Sequence, residues 1–148
     1  MPRATHETDA DIAGETAVAQ RLEFLWKGPL VKQPPKSRYD WTLQRDGRDR
    51  ARIEIKRRGR VWRFDQDAPL MLSLHKWSVL QHLDSERCPS LVVVEWPKDD
   101  PFSLIYFVRA RPDADFEVRR NTGRTVQTRD RWDREDCVFI PASEFKPA

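Results

Sequence analysis

A chain of 148 residues with 39% hydrophobic and 10% aromatic side chains is large enough for one folded core and too small for two. With 34% charged residues and a net charge of +3, arginine far outnumbers lysine among the 27 basic residues, a bias toward phosphate that genome base composition also produces. Cys88 and Cys137 lie far apart, which excludes a disulfide framework and a Cys-x-x-Cys metal knuckle. The polar, acidic start "MPRATHETDADIAGE" has no apolar core of a signal peptide, and "PLMLSL" and "SLVVVEW" are too short to span a bilayer. The expectation is a cytoplasmic protein without a membrane segment.

The first predicted element is a helix from Asp11 to Lys27, capped by Thr8 or Asp9 and stopped by Gly28-Pro29. Its apolar stripe runs through Ile12, Val18, Ala19, Leu22, Leu25 and Trp26, and Glu15 falls on that stripe rather than on the solvent side. "LVKQPPKSR" reads as a connection. Two alternating stretches follow, "YDWTLQ" (39–44) and "ARIEIK" (51–56), joined by "RDGRDR" with the Asp46-Gly47 pair of a hairpin turn. Tyr39, Trp41 and Leu43 share one face of the first strand, opposed to Asp40, Thr42 and Gln44. In the second, Ala51, Ile53 and Ile55 oppose Arg52, Glu54 and Lys56. A turn near Gly47 brings Asp40 to within one residue of Glu54.

"RVWRFDQ" (60–66) reads as a third strand or an irregular crossing. A second helix is predicted from Leu74 to Ser85, with Ser73 as N-cap and Leu74, Trp77, Leu80 and Leu83 as its stripe. "SLVVVEW" (90–96) has the continuous β-branched character of a strand buried on both faces. "PKDDP" is a turn, and "FSLIYFVRA" (102–110) is the next strand. The last third is expected to hold a hairpin around Asn121-Thr122-Gly123 and a short strand at 137–140. The order predicts an α/β fold with helices flanking a mixed β-sheet and an extra C-terminal β segment.

Glu15 on a helix, Asp40 on a strand and Glu54-Ile55-Lys56 on the next strand resemble the PD-(D/E)XK nuclease superfamily, in particular small Holliday-junction-resolvase-like and related bacterial domains. The resemblance covers about residues 10–110 of a single domain and leaves 111–148 as an extension. Tyr39 precedes Asp40 where the superfamily's motif has proline. The resemblance implies a restriction-endonuclease-like fold and a Mg2+-dependent DNA endonuclease, with Mn2+ able to substitute. It implies Asp40, Glu54 and the Ile55 carbonyl as metal ligands, Lys56 as the catalytic lysine and Glu15 as an auxiliary acid that reaches the metal from the helix.

The chemistry behind such a set is independent of the name. Phosphodiester hydrolysis needs a hard divalent ion to neutralise phosphoryl oxygens and acidify a water, and Mg2+ takes carboxylate and carbonyl oxygens. A lysine two residues after a ligand lies on the same strand face and stabilises transition-state charge. Arg57, Arg58 and Arg60 could then hold the DNA backbone, and Lys76 could touch a phosphate. The plainer readings stand beside these: "IEIK" as the solvated face of a strand, and Lys76 as solvated helix surface. The Arg-rich tail (Arg119, Arg120, Arg124, Arg129, Arg131, Arg134) is interleaved with acids and reads as self-paired, or as a second DNA surface with Trp132 stacking on a base. Two other functions fit the same residues. One is an inactive DNA-binding or assembly subunit of this fold, and the other an adaptor or immunity module that uses exposed tryptophans and arginines. With one active site per chain, cutting both strands or a junction would require a homodimer.

Overall fold

The structure is a computed structural model that describes residues 8–58, 69–97, 103–120 and 135–148. In chain order the elements are α1 (Asp9–Trp26), β1 (Leu30–Lys32), β2 (Trp41–Arg45), β3 (Arg48–Arg57), β4 (Leu70–Ser73), α2 (Leu74–Leu83), β5 (Ser90–Trp96), β6 (Leu104–Arg109), β7 (Glu117–Arg120), β8 (Asp136–Ile140), a 3-10 turn (Ala142–Glu144) and β9 (Lys146–Pro147).

Helix α1 begins two residues earlier than the spacing predicts because Thr8 and Asp11 form a reciprocal capping box. The Asp11 N–H donates to Thr8 Oγ1 and the Thr8 N–H to Asp11 Oδ2, each at 3.1 Å. Lys27, in the left-handed region at φ 53°, ends the helix. Only the middle of the stripe is core: Val18, Ala19 and Leu22 are buried, whereas Ile12 and Leu25, near the two ends, overhang the sheet and stay exposed. No basic residue lies in the last turn of α1, and Arg45 supplies one from β2 by donating to the Trp26 carbonyl at 2.7 Å.

Six strands form one mixed sheet in the order β1-β2-β3-β5-β6-β9, with β3 and β5 parallel and every other neighbour antiparallel. The hairpin turn is as expected: Asp46 and Gly47 both have positive φ, 54° and 72°, the handedness that matches twisted strands. Part of the expected "LVKQPPKSR" connection is a strand, since Leu30–Lys32 pairs with β2 at the sheet edge. A parallel β3–β5 pair needs a crossover, and α2 lies on it. The crossover also contains β4, which joins β8 and β7 in a second, three-stranded sheet.

Both faces of the large sheet are covered, which is why β5 is apolar at successive positions. Val93 faces α1 with Ile53, Ile55 and Trp41, while Val92 and Val94 face Trp77 and Leu80 of α2 and Val138 and Ile140 of β8. The odd-numbered residues of β3 therefore lie under α1, and Glu54 and Lys56 lie on the side of α2. Arg52 ties the far end of α2 down by donating to the carbonyls of Leu83 (2.7 Å) and Cys88 (2.8 Å). Ser73 stands at the N-cap of α2, but its side chain makes no cap hydrogen bond. Helix α2 ends at Leu83, two residues before the expected Ser85. The readings of 60–66, of the turn at 121–123 and of the arginines at 124–134 lie outside the described residues. Among the described residues, no helix is long and apolar enough to cross a membrane.

Candidate active site

Asp40 is the residue before β2. Trp41 pairs with Ile53, and the Asp40 N–H donates to the Ile53 carbonyl at 3.2 Å, so the hairpin register delivers Asp40 beside Glu54. The two carboxyls are close enough for each to shift the titration of the other. Glu54 is only 2% exposed, unusual for an acid on a central strand. Burial, then the negative Glu54 and the hydrogen bond to it, with a smaller push from Glu15, raise the Asp40 carboxyl to about 7 against the pull of Lys76. Of the two, Asp40 is the carboxyl pushed toward its neutral form. For Glu54, burial alone would favour the neutral acid, but Lys56, Lys76 and the Asp40 hydrogen bond outweigh it and hold the carboxyl below its ordinary range.

Two lysines converge on one oxygen of Glu54. Lys56 Nζ lies 3.5 Å from Oε1, and Lys76 Nζ, from the first turn of α2, lies 2.8 Å from it. Burial works to lower the Lys76 pKa, yet attraction to Glu54, the hydrogen bond to it, and the charges of Asp40 and Glu15 raise it. The structure makes Lys76 a direct partner of Glu54, which the sequence could not show because the β3–α2 approach is a tertiary one.

Glu15 lies near this group, close enough to act on Asp40, but its carboxylate is held elsewhere. Its Oε2 accepts from Lys32 Nζ at 3.3 Å and from the Trp41 indole at 3.4 Å. Lys32 also stacks over the Trp41 ring at 5.4 Å. Sequence reasoning missed Lys32 because three residues of β1 carry no readable alternation.

Arg57 belongs to the other face of β3. Its Nε donates to Glu95 Oε1 at 3.1 Å, and Glu95 Oε2 accepts from Arg21 and from Ser103, each at 3.1 Å. The signal for this network was present: a glutamate inside "SLVVVEW" must find partners if the strand is buried on both faces. The Arg58 N–H donates to the Glu95 carbonyl at 3.0 Å, and burial lowers the pKa of its guanidinium. Arg60 lies outside the described residues.

Among the described residues, no three His, Cys, Asp or Glu side chains form a metal-holding group. The Asp40–Glu54 pair nonetheless has the donor chemistry of a hard cation site: two neighbouring carboxyls that shift each other's titration, with two ammonium groups against Glu54. The backbone carbonyl of Ile55 is the further oxygen that the resemblance implies. Arg52 and Arg58 donate their N–H groups to Pro89 and Glu95 of the β5 side, so even-numbered residues of β3 bond toward β5. Ile55, odd-numbered, turns its carbonyl toward the β2 side, and β2 begins only at Trp41, opposite Ile53.

The whole chain, residues 1–148, matches the model of a family described as "Phage putative PDDEXK endonuclease". No curated protein and no solved structure matches it.

Proposed function

The chain belongs to the phage PDDEXK endonuclease family, and on that premise we propose that it is a divalent-metal-dependent DNA endonuclease with a restriction-endonuclease-like fold. The observation that carries the reading is Glu54, a carboxylate sealed into the sheet at 2% exposure, beside Asp40 and with two lysines at 3.5 and 2.8 Å from one of its oxygens. A carboxylate desolvated to this degree costs several kcal/mol unless cations compensate it. Such a cost is tolerated where the charge is used.

In this reading Asp40, Glu54 and the Ile55 carbonyl hold Mg2+, or Mn2+ in its place. The bound ion supplies charge neutralisation at the scissile phosphate and a more acidic water. Lys56, fixed on the same face of a central strand, orients the attacking water and donates to the developing negative oxygen. Glu15 is an auxiliary acid one layer out, positioned by Lys32 and Trp41. Lys76 reaches a phosphate. Arg57 has no part in the proposal because its guanidinium is held by Glu95 on the opposite face. One chain carries one site, so cutting both strands needs two copies or two encounters.

One observation favours a second reading. Lys76 already occupies Glu54 at 2.8 Å, as it would in an inactive DNA-binding subunit whose lysines have replaced the cation. Cleavage decides between them. Plasmid, single-stranded and branched DNA are incubated with Mg2+ or Mn2+ and wild type, Glu54→Gln or Lys56→Ala. The expected result is metal-dependent cutting that falls by at least about a hundredfold in both variants while their melting curves stay cooperative. Equal cutting by Lys56→Ala removes the mechanism, and binding without any cutting establishes the inactive subunit.

A further inference from the structure

Lys56 and Lys76 meet the same oxygen of Glu54 but are not equivalent. Lys56 projects from the middle of the large sheet, with its side chain 34% exposed, and its backbone is paired to β5. Lys76 reaches in from the surface of α2 on a four-carbon stem, with its side chain 45% exposed, and makes the shorter contact. Its ammonium can therefore return to water or to another anion without disturbing a packed element. The oxygen it occupies, Glu54 Oε1, belongs to a carboxylate that the proposed function gives to the metal. A divalent ion on that carboxylate, which is itself only 3% exposed, would bring two positive charges against the ammonium at close range, and the repulsion favours release of Lys76, the more mobile and closer of the two lysines.

We infer that Lys76 is an exchangeable counter-ion: it neutralises Glu54 while the site is free of metal and moves to a DNA phosphate when a divalent cation takes Glu54. The inference rests on the metal-dependent reading above and adds a consequence to it. Metal and DNA become coupled through one side chain. The cation releases Lys76 to the phosphate, and the phosphate draws Lys76 off the cation's ligand. Linkage makes the two effects equal: DNA tightens metal binding by the same factor by which metal tightens DNA binding. A lysine that served only as solvated helix surface would produce neither effect.

The test is calorimetric titration of the full chain with Mn2+, alone and with a phosphorothioate duplex, for wild type, Lys76→Met and Lys76→Arg. Without DNA, Lys76→Met is expected to bind Mn2+ roughly tenfold more tightly than wild type, because the competing cation is gone, while Lys76→Arg stays within about twofold. The duplex is expected to tighten Mn2+ binding several-fold in wild type and by less than about twofold in Lys76→Met. A variant that binds Mn2+ where wild type does not would show the competition in its strongest form. Equal or weaker Mn2+ binding by Lys76→Met, or undiminished coupling to DNA, overturns the inference and leaves the metal-dependent reading standing. If neither chain binds Mn2+, with or without DNA, the metal-dependent reading itself fails.

Discussion

Asp40 is a carboxyl whose protonation the fold controls. Unfolded, it titrates near 3.8; folded, it is pushed up to about 7, chiefly by burial and by the ionised Glu54. Between those values the folded chain holds a proton that the unfolded chain has lost. The stability contribution is intact below pH 3.8 and falls as the pH rises to 7, the sign expected of a raised pKa. Asp40→Asn keeps a donor for Glu54 but cannot ionise, so in metal-free buffer it is expected to stabilise the fold. Its gain over wild type should widen from pH 4 to 7 and level off above, reaching on the order of 2 kcal/mol because the titration is shared with Glu54. Urea unfolding at several pH values measures it, and a gain that does not change with pH would mean that Asp40 is already ionised. The Asp40–Glu54 proximity was legible from alternation and the Asp-Gly turn, which fix hairpin register locally. The contact of Lys76 with Glu54 was not, because it depends on where a helix 22 residues away packs.

At the scale of elements, long periodic segments were readable and short ones were not. Helix α1 follows from its capping box and apolar period, the hairpin from turn chemistry, and α2 and β5 from apolar pattern alone. Strands β1, β4 and β9 have three, four and two residues, too few for any period, and exist because a neighbouring strand offers an edge. How α1 docks is likewise a tertiary matter, and Gly14 marks one of its closest approaches to the sheet. A Cβ at Gly14 would overlap the Arg57 guanidinium, which is held at 3.1 Å by the buried Glu95. Gly14→Ala improves helix propensity by about 1 kcal/mol. It also forces α1 to lift or Arg57 to release Glu95, which keeps Arg21 and Ser103, so the cost approaches but does not exceed the ~3 kcal/mol of a buried charge left uncompensated. The second effect outweighs the first, so a net loss of roughly 1–2 kcal/mol is expected in the urea midpoint. A variant as stable as wild type would mean that Arg57 swings aside freely, and that its contact with Glu95 adds little to the docking of α1.

The arrangement of the whole molecule bears on residues 111–148, which motif reasoning treats as an extension because the recognisable residues end near 110. In space, residues 137–145 contribute to the main core. Val138, Ile140 and Phe145 are at most 4% exposed and pack in one cluster with Trp77, Leu80, Val92, Val94 and Trp96. Strand β8 lies between β4 and β7, and β9 closes the large sheet against β6. The segment therefore covers the face on which α2 sits, and α2 carries the lysine that reaches Glu54. Removing three such side chains forfeits about 5–9 kcal/mol of apolar burial, as much as the entire stability of many domains of this size. A chain ending at Arg111 is accordingly expected to lose its cooperative thermal transition and near-ultraviolet dichroism together, without any site residue having been touched. Were that shortened chain to melt cooperatively and still hold Mn2+, β4, α2 and the large sheet would form a self-sufficient unit. The C-terminal strands would then serve a surface rather than the core. The burial of Ile140 at 0% exposure argues that they serve the core.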